Sequence, residues 1–240
     1  SCTNETPADQ TNAKGSVAFD LAVQTEVDDT RANVSCTTPA AEAFDLTIEG
    51  VGHTYSKHYA AIAEFNEGDN YLRLGNYKAT VTAGSLTEEG FDKATFVGSE
   101  EFEVVARHDS AVTITATIAN AIVKVETTEG FDNYFVGGHT FELTTEAGNK
   151  FDVSDKSEPL FIAPASFTIA GTAVKQANQS GAEGATITLP EYKMENPQAQ
   201  TYYTIKFDVK DAGRATLEIT INDDVVESID IEQELNDNAQ

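Results

Sequence analysis

The chain has 240 residues, of which 40% are apolar, and its 40 Asp and Glu against 15 Lys and Arg give a net charge of -25. This length suits one large domain or two ordinary ones, and the apolar content argues against intrinsic disorder. A field of this sign repels phosphate backbones and anionic head groups, so we expect no nucleic-acid partner and no unassisted binding to anionic membranes.

The two cysteines, Cys2 and Cys36, lie near the start of the chain. Three interpretations are open: a disulfide, which needs an oxidising compartment; an inert buried thiol at Cys36; or acylation of Cys2. The Ser-Cys start resembles the end of a bacterial lipobox, and residues 1–14 have the polar composition of a flexible tether. We favour acylation because an anchor needs a chain end. It predicts an exported protein, lipid-anchored at the outer membrane and made with a signal peptide upstream.

Short segments in which apolar and polar residues alternate predict strands with one wet and one dry face. Turn signals separate them, no βαβ rhythm is found, and only residues 59–65 have modest helical character. The apolar members of four such segments are Val17, Phe19, Leu21 and Val23; Phe44, Leu46 and Ile48; Val112, Ile114 and Ile118; and Leu217, Ile219 and Ile221. The predicted class is all-β, with antiparallel strands folded as sandwiches.

The middle of the chain indicates two sandwiches. Two alternating runs meet at Ala119–Asn120 without a Gly or Pro break, so the chain can leave one sandwich and enter the next with little linker. The halves also echo each other, since "AEAFDLTIEG" precedes "LRLGNYKATVTAG" as "GHTFELTTEAG" precedes "LFIAPASFTIAG". We predict one domain over residues 15–119 and a second over residues 120–240.

Within "LRLGNYKATVTAG", a set of six residues resembles the hairpin of transthyretin-like and pilin-type sandwiches: Leu74, Gly75, Tyr77, Ala79, Val81 and Ala83. Gly75 would permit the tight turn, and Tyr77 and Val81 would point into the core. Nearly the whole chain resembles a family of uncharacterised surface lipoproteins, related to fimbrillins, from anaerobic gut Gram-negative bacteria. The likeness lies in "GSVAFDL", "EGFDKATFVGSEEFEV", "TATIANAIVKVE" and "AQTYYTIKFDVKDAGRATLEITIND".

This resemblance implies two stacked transthyretin-like sandwiches and a non-catalytic role in adhesion or as a tip, anchor or accessory subunit of a pilus. The implied partners are other pilus subunits or ligands on host and cell surfaces. In fimbrillins a protease removes the first strand after an arginine, and an extended segment of another subunit fills the groove. The corresponding arginine here would be Arg31, unless it is an ordinary exposed loop residue.

Two further features follow from the same resemblance. The donor segment would be "VVESIDIEQEL", in which Val225, Ile229, Ile231 and Leu235 share a face; a plain closing strand is the alternative. The tripeptide "DSA" resembles the O-glycosylation acceptor motif of these bacteria and would place a glycan on Ser110, in the loop before the Val112 strand.

No motif for an enzyme, a cofactor or a metal is present in the sequence. Of the four histidines (His53, His58, His108 and His139), the pair in "GHTYSKHY" is spaced i, i+5, which directs the rings to opposite faces of a strand. We predict exposed loop histidines. The acidic loops Asn66–Asn70, 152–158 and Asn222–Asp224 offer calcium-type oxygens without the EF-hand pattern, so solvated turns are favoured.

Glycan binding is the alternative function, in an outer-membrane accessory lipoprotein. Sugar sites stack the ring of the sugar on an aromatic face, and four tyrosines are candidates: Tyr55, Tyr59, Tyr202 and Tyr203. The sequence has 0 Trp, the side chain best suited to this role, which weakens the alternative.

Overall fold

The computed structural model describes residues 12–27, 34–154, 158–176, 184–211 and 215–231. In these ranges strands dominate, which confirms the all-β class. The strands are β1 (Lys14–Val23), β2 (Asp45–Val51), β3 (Ser56–Tyr59), β4 (Tyr71–Arg73), β5 (Gly75–Ala83), β6 (Gly90–Phe91), β7 (Phe96–Val104), β8 (Asp109–Ile118), β9 (Ala121–Thr127), β10 (His139–Thr145), β11 (Lys150–Asp152), β12 (Leu160–Ile162), β13 (Phe167–Val174), β14 (Thr186–Thr188), β15 (Tyr192–Met194), β16 (Thr201–Asp211), β17 (Ala215–Ile221) and β18 (Asp224–Asp230).

Helices in the described ranges are short. They are α1 (Ile62–Asn66), α2 (Glu129–Tyr134) and a 3-10 turn over Ala41–Ala43. The helical character of residues 59–65 is thus realised one turn later than predicted, with Ile62 and Phe65 buried beneath the first sheet. None of these helices combines the length and apolar character of a membrane span.

The chain divides into two compact units. The first contains the described residues of Ser1–Glu26, Cys36–Ser85 and Ala94–Ala119, and the second contains those of Val27–Ser35, Leu86–Lys93 and Asn120–Gln240. The chain passes between the units at Ala119–Asn120. The segment Leu86–Lys93 belongs to the second unit, although it lies in the sequence between two segments of the first. The alternation of apolar and polar residues does not predict this exchange.

The first unit is one seven-stranded sheet in the order β3-β2-β5-β7-β8-β1-β4. Its pairs are antiparallel except one: β1 runs parallel to β8, with Ser16 opposite Asp109 and Val23 opposite Ala116. The expectation that all neighbouring strands are antiparallel is therefore wrong for β1 and β8. Alternation reports which face of a strand is wet, and that signal is the same for either direction of the neighbouring strand.

The sheet of the first unit folds over, so that β1 faces β7 across the core. The Phe19 ring on β1 lies 5.1 Å from Phe65 and 5.4 Å from Phe102. Alternation places Phe19 and Val17 inward, where they are buried, while Ala18 and Asp20 are exposed. The strand is thereby a filled part of the core as well as a member of the sheet.

The segment around Leu74 and Gly75 is a corner and not the predicted hairpin. β4 pairs with β1, whereas β5 pairs with β2 and β7, so the two strands that flank Leu74 do not pair with each other. Gly75 has φ of +142°, a conformation that residues with a side chain rarely adopt, and this confirms the need for glycine. Tyr77 and Val81 are buried as predicted.

The second unit has two sheets in its described residues. One has the order β11-β10-β13-β14, with β15 also pairing with β13, and the other has the order β18-β17-β16-β9-β12-β6. Here too one pair is parallel, with Thr201–Phe207 of β16 alongside Ala121–Thr127 of β9. The two sheets enclose one core, in which the Phe141 and Phe207 rings stack at 4.3 Å.

The echo between the halves of the sequence corresponds to a real structural repeat. β2 pairs antiparallel with β5 in the first unit, and β10 pairs antiparallel with β13 in the second. These four strands are the segments that the sequence comparison aligned.

The C-terminal segment forms the closing strand rather than a free donor over its described residues. β17 and β18 form a hairpin across Asn222 and Asp223, whose φ values of +49° and +71° fit a two-residue type I′ turn. A bulge between Ile219 and Thr220 shifts the register, so that Ile229 faces Leu217 in the core while Val225 pairs with Thr220 on the outer face. The prediction that Val225 and Ile229 share a face is therefore wrong. Leu235 lies outside the described residues.

Candidate functional site

Two of the predicted site residues, Cys2 and Arg31, lie outside the described residues. The choice between acylation of Cys2 and a Cys2–Cys36 disulfide, and the cleavage after Arg31, therefore stay predictions. Cys36 itself is half-buried.

Ser110 lies within β8 and not in a loop before it. The strand begins at Asp109, and Ser110 is half-buried and opposite Val17 of β1. The Asp109 carboxylate accepts a hydrogen bond from the Ser16 hydroxyl of β1. The acceptor tripeptide is thus part of the β1–β8 pairing, and its glycosylation stays a prediction.

The histidines have separate environments. His53 lies in the turn between β2 and β3, while His58 lies in β3 itself and contacts the Asp45 carboxylate at 3.0 Å. His139 packs on Phe131. Among the described residues, no group of three or more His, Cys, Asp or Glu side chains is placed to hold a metal ion.

The amides of the predicted acidic loops bind backbone rather than solvent or calcium. The Asn66 side chain accepts a hydrogen bond from the Phe19 amide at 2.9 Å and donates one to the Phe19 carbonyl at 2.8 Å. Asn70 Nδ2 donates to the Val17 carbonyl at 3.1 Å, and the Val17 amide donates to the Asn70 carbonyl at 2.9 Å. We call Asn66 and Asn70 the amide clamp. β4 pairs only with Lys14–Ser16, so the clamp occupies the edge of β1 at Val17 and Phe19.

Asn222 makes a similar contact in the second unit. Its side chain accepts a hydrogen bond from the Thr204 amide at 2.9 Å and donates one to the Tyr202 carbonyl at 3.1 Å. The expectation of solvated turns is therefore wrong for Asn66 and Asn222. A sequence signal existed, because Asn in a turn is suited to bonding with nearby backbone, but the partners lie on strands distant in sequence.

A cleft of about 540 Å³ opens in the first unit between the two end strands of its sheet, β3 and β4. It is lined by Lys14, His53, Thr54, Tyr55, Lys57, Tyr59, Asp69, Tyr71, Leu72, Arg73, Leu74 and Tyr77. Its volume is within the range of about 300–1,000 Å³ that holds small ligands in proteins. Of the four tyrosines considered from the sequence, Tyr55 and Tyr59 line the cleft, whereas Tyr202 and Tyr203 are buried in the second unit.

The tyrosines of the cleft form a connected aromatic wall. The ring of buried Tyr77 is met edge-on by His53 at 4.9 Å and by Tyr55 at 5.4 Å. The Tyr77 hydroxyl donates to the Arg73 carbonyl at 2.8 Å, which ties β5 to the end of β4. At the rim, Tyr71 is 54% exposed. The wall therefore has a fixed interior and an accessible ring at the opening.

Burial perturbs two phenols of this wall. It raises the pKa of Tyr55 to about 12, and the neighbouring Tyr59 adds to the shift. Burial also raises the pKa of Tyr77, although the Arg73 charge opposes the shift. Both phenols therefore stay protonated at neutral pH and present hydroxyl groups that donate as well as accept hydrogen bonds.

Three cations line the cleft beside the tyrosines. No pattern in the sequence marks these cations as site residues. Lys57 Nζ lies 4.9 Å from the centre of the Tyr59 ring. Lys14 and Arg73 are directly opposite each other in the β1–β4 pairing, and no described residue forms an ion pair with either. Their positions come from the pairing of strands far apart in sequence, so no local motif marks them.

The chain matches the model of one protein family over residues 13–237, described as a domain of unknown function, DUF4493. It belongs to that family. The match covers all but the first of the described residues, and it confirms the expectation of an uncharacterised family. No protein of curated function matches the chain.

Several solved structures are similar in fold. A fimbrial assembly protein from Parabacteroides distasonis is 14% identical with a TM-score of 0.44, over 90% of this chain and 97% of that one. A candidate adhesin from Bacteroides ovatus is 11% identical with a TM-score of 0.42, over 89% and 93%. A candidate polysaccharide-binding protein from Bacteroides thetaiotaomicron is 12% identical with a TM-score of 0.39, over 92% and 99%. At these identities the names of those proteins do not transfer to this chain.

Proposed function

We propose that this chain is a non-catalytic, fimbrillin-like protein of the cell surface that acts in adhesion or as a pilus subunit. In the proposed mechanism it exchanges its first strand, β1, for an extended segment of a partner subunit. The observation that carries this proposal is the way in which β1 is held on both edges by contacts to its backbone.

On one edge, β1 pairs in parallel with β8 from Ser16 to Val23. On the other edge, the amide clamp bonds to the backbone of Val17 and Phe19. Hydrogen bonds to the backbone do not depend on the side chains of the strand, so another strand in the same position can form them. The side-chain requirement is limited to two apolar residues that alternate as Val17 and Phe19 do.

Arg31 gives this strand a point of release. It follows the end of β1 by eight residues in the sequence. Cleavage after Arg31 would leave β1 attached only through its noncovalent contacts, and its departure would expose β8, the clamp and the apolar pockets of Val17 and Phe19. An unpaired edge beside an apolar groove is a site for strand addition.

An arginine-specific protease tests this mechanism on the full chain. We expect cleavage after Arg31, followed by oligomers that form a ladder in native electrophoresis. A synthetic peptide of residues 14–23 should suppress the ladder by refilling the groove. An uncut or cleaved monomer that forms no ladder would contradict the proposal.

The Arg31→Lys variant is the matched control, because it keeps the charge but removes the cleavage site. It should stay monomeric under the same treatment. Asn66→Ala should allow cleavage but weaken the recapture of the 14–23 peptide, because it removes two hydrogen bonds to the strand. Equal peptide affinity in this variant would argue against the clamp as part of the groove.

Surface location is proposed to come from acylation of Cys2. Expression of the gene with its own leader in a Gram-negative host should label the protein with an alkyne fatty acid and place it in the outer-membrane fraction. Cys2→Ala should abolish both results, while Cys36→Ala should leave both intact. Absence of the fatty-acid label, together with a shift in the gel mobility of the wild-type protein on reduction that Cys36→Ala lacks, would favour the Cys2–Cys36 disulfide instead.

Glycan binding is a second candidate function because of the cleft between β3 and β4. The cleft combines an exposed ring, Tyr71, with hydroxyl groups of Tyr55 and Tyr59 at a volume suited to a short saccharide. Aromatic faces and hydroxyl groups are the usual contacts for a sugar. Saturable binding on a glycan array, lost in Tyr71→Ala, tests this function independently of strand exchange.

A further inference from the structure

We propose that the cleft between β3 and β4 binds an acidic saccharide, that is, a sugar with a carboxylate or sulfate group. Lys14, Lys57 and Arg73 would contact the anionic group, and Tyr71 would contact the sugar ring. This inference rests on the second candidate function, glycan binding, and specifies the class of glycan.

The charge of the cleft is opposite to that of the chain. The protein has a net charge of -25 and 15 Lys and Arg in 240 residues. Among the described residues that line this cleft, three are cations and one, Asp69, is a carboxylate. The Asp69 carboxylate also accepts a hydrogen bond from the Tyr71 amide at 3.3 Å. A local excess of positive charge on a strongly acidic protein attracts an anion to that place.

The pairing of β1 with β4 keeps two like charges together. Lys14 and Arg73 are directly opposite in the register and share the outer face, whereas the next pair, Gly15 and Leu72, is turned inward and buried. Like charges directly opposite on adjacent strands are destabilising. An anion between the two would relieve the repulsion, and a guanidinium group can bind a carboxylate or sulfate with two parallel hydrogen bonds.

The aromatic residues favour a sugar over an acidic peptide. Lys57 and Tyr59 lie two residues apart on β3, as Tyr71 and Arg73 do on β4, so each strand presents one ring beside one cation at the cleft. A charged sugar offers an apolar ring face and an anionic group a few ångströms apart, which matches this arrangement. An acidic peptide supplies the charge but no rigid face for the rings.

Calorimetric titration of the full chain with two ligands tests the role of charge. The ligands are trigalacturonate and its methyl ester, which is the same saccharide with its carboxylates capped. We expect the acid to bind and the ester to bind at least about tenfold more weakly, since charge-assisted hydrogen bonds are lost. Equal affinity would overturn the inference while leaving neutral glycan binding intact. Absence of binding for the trigalacturonate and for a sulfated trisaccharide would overturn it too.

Variants of the cations locate the site. Arg73→Gln and Lys57→Gln should each weaken trigalacturonate binding about tenfold or more, because each loses a charged donor to the carboxylate. Lys78→Gln makes the same change of charge on an exposed residue of β5 outside the cleft lining, and it should leave the affinity within about twofold. An equal loss in the Lys78 variant would mean that only the general field matters and would overturn the site.

Stability measurements give a readout that does not need a ligand. Arg73→Gln should raise the Tm of the unliganded protein or leave it unchanged, because it removes the repulsion with Lys14. This also shows that a loss of binding is not a loss of folding. A clear fall in Tm would contradict the argument that the like charges of Lys14 and Arg73 repel each other across the β1–β4 pairing.

Two more titrations separate the alternative ligands. Tyr71→Ala should weaken the trigalacturonate complex and Tyr71→Phe should largely preserve it, because the ring makes the proposed contact. Tighter binding of the sulfated trisaccharide than of trigalacturonate would identify sulfate as the anionic group. A hexaglutamate peptide that binds as tightly as trigalacturonate, with the same loss in Arg73→Gln, would overturn the assignment to a saccharide.

Discussion

The two units of this protein have a similar arrangement of strands, but the outer edge of that arrangement is covered in one unit and open in the other. In the first unit β1 pairs in parallel with the late strand β8 and antiparallel with the short strand β4, and in the second unit β9 pairs in the same way with β16 and β12. In the second unit the other edge of β12 is covered by β6. In the first unit the corresponding edge of β4 opens on the cleft.

A second difference is the number of sheets in each unit. In the first unit a single sheet turns the corner through two residue pairs, Phe96 with Ile118 and Val97 with Thr117. The described residues of the second unit form two separate sheets, and the second of these is widened by the hairpin of β17 and β18. The open edge of β4 is accessible to another chain or ligand, whereas the matching edge of β12 is covered by β6.

The largest expected effect comes from the cores on which the shared plan depends. Phe19→Ala on β1 and Phe207→Ala on β16 should each lower the free energy of unfolding by about 3–5 kcal/mol, because each leaves a cavity among aromatic rings. Urea unfolding measures both. Ala18→Ser, on the exposed face of β1, should stay within about 0.5 kcal/mol. A small cost for one phenylalanine alone would show that the parallel strand pairs of the two units do not contribute equally to stability.

Glu89→Ala tests which contacts hold β6 on the edge of β12. The Glu89 carboxylate accepts hydrogen bonds from Thr145 Oγ1 at 2.7 Å, Asn149 Nδ2 at 2.8 Å and the Ala163 amide at 2.8 Å. Its loss should cost about 2–3 kcal/mol, since the donors lose a charged acceptor. Hydrogen exchange should speed up at Ala163 and in β6.

The neighbouring residue provides the control for this prediction. Glu88 is exposed, and Glu88→Ala should leave exchange in β6 unchanged. Similar acceleration in both variants would indicate that net charge, and not the three hydrogen bonds, keeps β6 on the edge of β12.

Tyr77→Phe should have a smaller effect on the open edge of the first unit. It removes the hydrogen bond from the buried phenol to the Arg73 carbonyl and should cost about 1 kcal/mol in urea unfolding. The variant should also loosen the rim of the cleft, seen as faster exchange of the amides in β4. An unchanged free energy of unfolding would show that water replaces the hydroxyl without loss.

The smallest expected effect is a dependence of stability on alkaline pH. The pKa of Tyr55 is raised from 10.0 to about 12, so the folded state favours the protonated phenol. The resulting stabilisation is fully present below pH 10 and is lost as the pH rises through 12. Tyr55→Phe should flatten this part of the stability profile.

The same experiment extends to the second unit, where burial raises the pKa of Tyr202. Tyr202→Phe should reduce the alkaline loss of stability as well. An alkaline profile that neither variant alters would contradict the burial of both phenols.

Several features were accessible from the sequence because they depend on near neighbours. Alternation predicted the inward face of β1, including Phe19, and the resemblance to pilin-type hairpins predicted that Tyr77 and Val81 point inward. The echo between the halves predicted a structural repeat, which the β2–β5 and β10–β13 pairs display. Tyr55 and Tyr59 were also recognised as candidates for a ligand site. In each case the signal is carried by residues within one strand or one turn.

Other features were missed because they join residues far apart in the chain. The loop composition around Asn66 and Asn70 suggests calcium-type oxygens, but the two amides bind the backbone of β1, 47 and 53 residues earlier. The tripeptide at Ser110 suggests a loop, yet the parallel contact with β1 extends β8 to include it. The bulge at Ile219 and Thr220 turned Val225 outward.

By itself, the sequence determined the strands, their wet and dry faces, and a net charge of -25. These are set by the identity and spacing of residues that are adjacent along the chain. Only the tertiary structure decided that β1 runs parallel to β8, and that Lys14 lies opposite Arg73 beside four tyrosines. Strand order and register follow from how distant segments pack together, and that packing is a property of the whole core.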